Sequence, residues 1–125
     1  MTKSTSSPLP HGDMIKLFFQ FQLDLKMYHW NTRAYSRHIS SDQLMERFLK
    51  LVDRFVEVFI GHYGRPEISR QTIEYTIKTD AEMPGYVQAF ADKIQGWKKL
   101  PVDLENVRDD IVESVYQALY LFSLH

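Results

Sequence analysis

Apolar residues recur at helical spacing in four stretches of the chain, and polar or helix-breaking residues mark where each should stop. From about His11 to Arg33, the residues Ile15, Phe18, Gln22, Leu25 and His29 fall on one stripe, while Leu17, Phe21, Leu23 and Tyr28 lie on other faces. A helix that is apolar around so much of its circumference must be covered on more than one side. Thr32 to Ser40 reads as a connection, with Ser40 or Ser41 capping a second helix that runs to about Ile60 and ends near Gly61 and Gly64. Leu44, Phe48, Leu51, Val52, Phe55 and Phe59 form its core stripe, and Glu46, Lys50, Asp53 and Glu57 occupy another side. Tyr63 to Glu82 is irregular. Ile73 and Ile77 suit a short helix over Ser69 to Lys78, although the β-branched residues there also suit a strand. A third helix is expected over Pro84 to Trp97, with Pro84 in its first turn. A fourth starts at Asp103 as its cap and carries Leu104, Val107, Ile111, Val115, Ala118, Leu119 and Phe122 inward. The pattern predicts an all-α fold, a four-helix bundle over residues 11–125 with a longer crossover between helices 2 and 3. A Ser-, Thr- and Pro-rich tail over residues 1–10 precedes it and is expected to be flexible.

Composition narrows the function classes. At 125 residues the chain suits one domain able to bury a core. Its net charge of −1 gives no footing for a nucleic-acid or anionic-membrane partner, and the single Lys of the tail argues against DNA binding. The absence of cysteine removes disulfides, thiolate metal sites and cysteine nucleophiles. With neither a membrane-length apolar run nor a secretory signal, the chain reads as soluble, intracellular and cytoplasmic. Aromatic residues reach 14%, which implies a bulky core or a helix face buried against another subunit.

Candidate chemistry is concentrated between His29 and Glu57. His29, His38, Asp53 and Glu57 are all capable metal ligands, and a mixed imidazole and carboxylate set suits iron(II), with zinc or manganese as alternatives. Asp53 and Glu57 are four residues apart and so share a helix face. That face points away from their own helix's core stripe but is bordered by Leu49, Val56 and Ile60. Carboxylates inside a bundle would belong to paired Glu-x-x-His motifs, and no Asp or Glu here is followed by His three positions later. The placement therefore favours a site between subunits, with histidines from one chain and carboxylates from another. Considered singly, each residue has a plainer reading: His29 as a core histidine, Asp53 and Glu57 as a solvated face. His62 reads as a surface histidine at a helix end more than as a peripheral ligand, and His11 and His125 as terminal residues of little consequence. Tyr116 and Tyr120 form an aromatic line that reads as packing, and there is no phosphate-binding loop or nucleophile elbow.

Three segments carry a resemblance: Lys26-Met-Tyr-His-Trp-Asn31, then His38, then Val52-Asp53-x-x-x-Glu57. Here the chain resembles the Dps mini-ferritins of the ferritin-like superfamily over about residues 15–62, and more faintly short ferritin-like proteins of large DNA viruses. The resemblance implies a ferritin-like bundle forming at least a homodimer, with two equivalent di-iron ferroxidase sites about a two-fold axis. His29 and His38 would come from one subunit and Asp53 and Glu57 from the other. Glu57 would bridge two irons or hold the tighter one, and Trp30 would lie close enough to intercept radicals. Fe(II) would be oxidised by peroxide or oxygen, for iron storage and oxidative protection. The His29-to-His38 segment is shorter than is usual in that family, and residues 61–82 do not clearly match its dimer-contact helix. The competing expectation is a helical structural or interaction protein that keeps the bundle without catalysis.

Overall fold

Four helices, α1 (His11–Asn31), α2 (Tyr35–Tyr63), α3 (Met83–Gln95) and α4 (Val102–Phe122), account for all the regular structure in the computed structural model. It describes residues 7–124, so the tail over 1–6 and His125 lie outside the described residues. Among the described residues there is no strand.

The direction of each helix follows from what its ends touch. Asp80, late in the crossover, accepts hydrogen bonds from the hydroxyls of Tyr28 (2.8 Å) and Thr32 (2.7 Å) at the C-terminal end of α1. Phe122 O, at the end of α4, accepts from Arg37 Nε (3.2 Å) at the start of α2. At the other end of the bundle, His62 of α2 meets Asp103 of α4. Thus α1 and α4 run one way, α2 and α3 the other. The crossover returns along α1, with Thr76 N–H donating to Asp24 Oδ1 (3.4 Å) on the way.

The core is largely phenylalanine. Phe18, Phe21, Phe48, Phe55, Phe59, Phe90 and Phe122 are all buried, and Phe19 is the exposed exception. Phe21 stacks on Phe90 at 3.8 Å between ring centroids, which pins α1 to α3, and meets Phe48 of α2 edge to face. Each ring contributes roughly 1.5–3 kcal/mol of burial, and the aromatic pairing adds to that. The faces of α1 carrying Phe21 and Tyr28 are as deeply buried as the main stripe, because α2, α3 and the crossover all cover this helix.

Four local expectations are corrected. The α1–α2 connection is 32–34, not Thr32 to Ser40, so His38 lies on α2. Ser40 and Ser41 do not cap; they are buried inside the helix, where their hydroxyls donate back to Arg37 O (3.3 Å) and His38 O (3.1 Å). The cap position of α2 is Ala34, and Thr32 closes the turn by accepting from Ala34 N–H (3.2 Å). No helix forms over Ser69 to Lys78, where Thr76 N–H is spent on Asp24 in place of a helical carbonyl. Helix α4 begins at Val102 behind Pro101, and Asp103 sits in its first turn.

One signal passed over in the sequence, and one glycine expected there as a helix stop, explain other boundaries. Thr79-x-x-Glu82 is a capping box ahead of α3: Thr79 Oγ1 accepts from Glu82 N–H (3.2 Å), and Glu82 Oε1 accepts from Thr79 N–H (3.0 Å). The Thr79 backbone N–H, and after it the Thr79 hydroxyl, hold the Glu82 carboxyl below its ordinary range. Gly64 ends α2 with φ of 90°, a left-handed backbone that favours glycine.

Candidate functional site

His29 and His38 are clasped across the α1–α2 turn. His29 Nδ1 lies 2.8 Å from His38 O, and His38 Nδ1 lies 2.9 Å from His29 O. A carbonyl oxygen only accepts, so each Nδ1 carries the proton, and in the neutral rings both Nε2 atoms present lone pairs. The two rings stack at 3.9 Å with 15° between their planes. Ser41 Oγ stands 3.3 Å from His29 Nδ1 and donates to His38 O, which supports the same arrangement from below. Histidine ligands of metals usually have the non-ligating nitrogen held by a carbonyl or carboxylate, which fixes tautomer and ring direction. This clasp supplies that support from the backbone alone.

Asp42, on the same turn of α2 as Ser41, brings Oδ1 to 4.0 Å from His29 Nε2. It was not among the residues picked out from the sequence. The available signal was its spacing of four from His38, which puts both on one face of α2. Trp30 is 65% exposed beside the pair, with the Lys26 ammonium 5.3 Å from its ring. Tyr35 is 77% exposed and 6.5 Å from the His38 ring.

Asp53 and Glu57 are exposed on α2 and are not brought to the histidines. Fifteen residues of continuous helix separate His38 from Asp53, about 22 Å at the helical rise. Among the described residues, no group of three or more His, Asp or Glu side chains within the chain is arranged to hold a metal ion. The chain thus carries a bis-imidazole pair in one place and a carboxylate pair in another.

The clasp rests on a polar knot. The Arg37 guanidinium donates to Tyr28 Oη (2.8 Å), Asp80 O (3.0 Å) and Phe122 O (3.2 Å), and stacks over the Phe122 ring at 4.8 Å. It therefore joins α1, α2, the crossover and α4 one residue from His38. Burial raises the Tyr28 hydroxyl above its usual value, and donation to Asp80 adds to this. Asp80 is held below the usual carboxylate range, first by the Thr32 hydroxyl and then by Tyr28.

A second polar node lies deeper. Asp24 is buried in α1 and accepts from Tyr86 Oη, Gln20 Nε2 (3.1 Å) and Thr76 N–H. Tyr86 is pushed far above its usual value, first by burial and then by its bond to Asp24. The sequence hinted at this node only through an Asp set between Leu23 and Leu25 on an otherwise apolar helix. His62 bonds Asp103 at 2.9 Å, and that bond is the main reason the Asp103 carboxyl is depressed. The His11 ring packs edge-on against Phe59 at 5.1 Å, with a buried Nε2 that has no hydrogen-bond partner.

A family model described as "Family of unknown function (DUF5856)" matches residues 29–122, a span that starts at His29 and includes His38, Asp53 and Glu57. An "Uncharacterized 14.6 kDa protein in mobD-ri intergenic region" of Enterobacteria phage T4 is 26% identical over 127 residues, covering 96% of this chain and 93% of that protein. No solved structure matches.

Proposed function

Because the chain belongs to the family of unknown function DUF5856, whose description assigns no chemistry, we propose from the geometry that it binds and oxidises Fe(II) at sites shared between two copies. The reading follows the resemblance to Dps mini-ferritins. The observation that carries it is the reciprocal clasp of His29 and His38, which sets both tautomers so that Nε2 is the lone-pair nitrogen of each stacked ring.

Fe(II) is the substrate here. His29 and His38 of one copy supply nitrogen ligands, and Asp42 Oδ1, 4.0 Å from His29 Nε2, would orient water bound there. Asp53 and Glu57 of the second copy supply the oxygen ligands that neutralise charge as iron passes from Fe(II) to Fe(III). Each peroxide takes two electrons, one from each of two Fe(II) ions, so its O–O bond breaks to hydroxide without releasing a hydroxyl radical. Trp30, next to His29 and open to the surface, is placed to intercept stray oxidant. The same ligands would accept zinc or manganese without redox chemistry. A face that packs against a second copy needs exposed apolar side chains, and Phe19 and Trp30 of α1 with Tyr35, Ile39 and Leu49 of α2 are such residues, while Val56 and Ile60 are half-buried near the carboxylates in sequence. Among the described residues no helix is long and apolar enough to cross a membrane.

The second reading is a non-catalytic bundle in which the clasp only latches the α1–α2 turn. It is favoured by the length of α2 that separates His38 from Asp53 and Glu57, so that among the described residues no three possible ligands come together. Mixing two variants separates them. A His29→Ala/His38→Ala chain and an Asp53→Ala/Glu57→Ala chain should each fail to form ferric product after anaerobic Fe(II) and peroxide. Mixed and reassembled in equal amounts, they should recover about a quarter of wild-type sites, since half the dimers are mixed and each keeps one intact site. Oxidation by each variant alone at the wild-type rate would sink the proposal.

A further inference from the structure

Helix α3 has 13 residues and α1 has 21, so α3 falls about 12 Å short of its neighbour at the helical rise. The shortfall leaves a groove of about 530 Å³ between the N-terminal half of α1 and the last turn of α3, within the size range of small-molecule sites. It lies toward the opposite end of α1 from the clasped histidines. Leu9, Leu17 and Trp97 give it an apolar wall. Trp97 is itself fixed, packed edge-on against Phe18 at 5.7 Å and tilted against Phe55 at 5.7 Å. Lys16 from α1 and Lys93 from α3 line the same groove from two elements, together with one carboxylate, Asp13. Neither ammonium belongs to any of the ion pairs found among the described residues.

We propose that this groove binds a small amphipathic anion, an alkyl or aryl chain ending in a carboxylate or phosphate. The apolar body would lie on Leu17 and Trp97, and the head would bridge Lys16 and Lys93. An apolar wall alone would accept any hydrophobe. Two uncommitted ammonium groups against a single carboxylate give the groove its preference of sign, and they leave a cation at a disadvantage. The chain's own residues 1–6 carry no acidic side chain and so cannot supply the head group.

The test uses Trp97 as its reporter. In a Trp30→Phe chain Trp97 is the sole indole, and exposed Trp30 packs no core, so the fold is kept. Titration with dodecanoate below its micelle concentration should change Trp97 emission saturably, with acetate giving no change. Dodecyl phosphate should bind as dodecanoate does. Lys16→Gln with Lys93→Gln should weaken binding by about tenfold, as expected for losing a charge-assisted contact at a partly open site. Dodecyltrimethylammonium should bind more weakly than dodecanoate by a similar factor. Equal binding of the cationic amphiphile, or unchanged affinity in the double lysine variant, would overturn the proposal. Because the readout does not involve iron, its failure would leave the ferroxidase reading untouched.

Discussion

Replacing Tyr86 by phenylalanine removes one oxygen and little else. The ring would still stack on Phe21 (5.8 Å between centroids, 17° between planes) and still lie under the Lys78 ammonium at 4.8 Å. What disappears is the hydroxyl that donates to buried Asp24, leaving that carboxylate with Gln20 and the Thr76 amide. A hydrogen bond to a charged group contributes about 1.5–3 kcal/mol, and Tyr86 is only partly buried, so about 2 kcal/mol is expected near neutral pH. The folded state raises the Tyr86 pKa above its ordinary value of 10.0. The native state therefore keeps the proton when the unfolded chain begins to lose it. Its contribution to stability is full below pH 10 and falls as pH rises above it, by about 1.4 kcal/mol per unit. At pH 11 the wild type should retain only about 0.6 kcal/mol of its advantage over Tyr86→Phe. Urea unfolding followed by far-ultraviolet circular dichroism at pH 8, 10 and 11 measures this directly. A difference between the two chains that stays constant from pH 8 to pH 11 would refute the reasoning, because it would mean that the Tyr86 proton is no better held in the folded state.

Two further perturbations probe the two ends of α2. Arg37→Met keeps the aliphatic stem but removes three donor contacts, to Tyr28, Asp80 and Phe122, and should cost about 2 kcal/mol in urea unfolding. The His29 and His38 ring resonances should broaden or shift by NMR, since the first turns of α2 lose their anchor; unchanged resonances would show that the clasp stands without the knot. Gly64→Ala forces a side chain into φ of 90° and should cost about 1–2 kcal/mol in thermal unfolding, although open space surrounds the position. A neutral result would mean that the backbone there relaxes freely.

The four helices were legible because each carries enough apolar residues at helical spacing to declare a buried face. The start of α2 was misread because Ser40 and Ser41 are good caps in isolation. The true start is set by Thr32, whose hydroxyl is engaged by Asp80 some forty-eight residues away, a partner no local rule identifies. The crossover was misread for a similar reason: Ile73 and Ile77 have helical spacing, but Asp24 takes the Thr76 amide. At the candidate site, the residue types and the separation of the carboxylates from their own core were readable. The reciprocal bonding of the two imidazoles was not, since it depends on a three-residue turn that the sequence had spread over nine positions. Asp42 was reachable through its spacing from His38, and Thr79-x-x-Glu82 through its capping pattern, but neither stands out until its partner is known.

The clasp and the knot also differ in how far along the chain they reach. His29 and His38 are nine residues apart, whereas Arg37 and Phe122 are separated by 85. The entropy lost in closing a loop grows with its length, so the short loop between the histidines closes at less cost than the long one. The two imidazoles can be set by the α1–α2 hairpin early in folding, with α4 arriving to lock a geometry that already exists. On loop-closure cost alone, the hairpin that carries the two imidazoles is favoured to close before α4 docks against it.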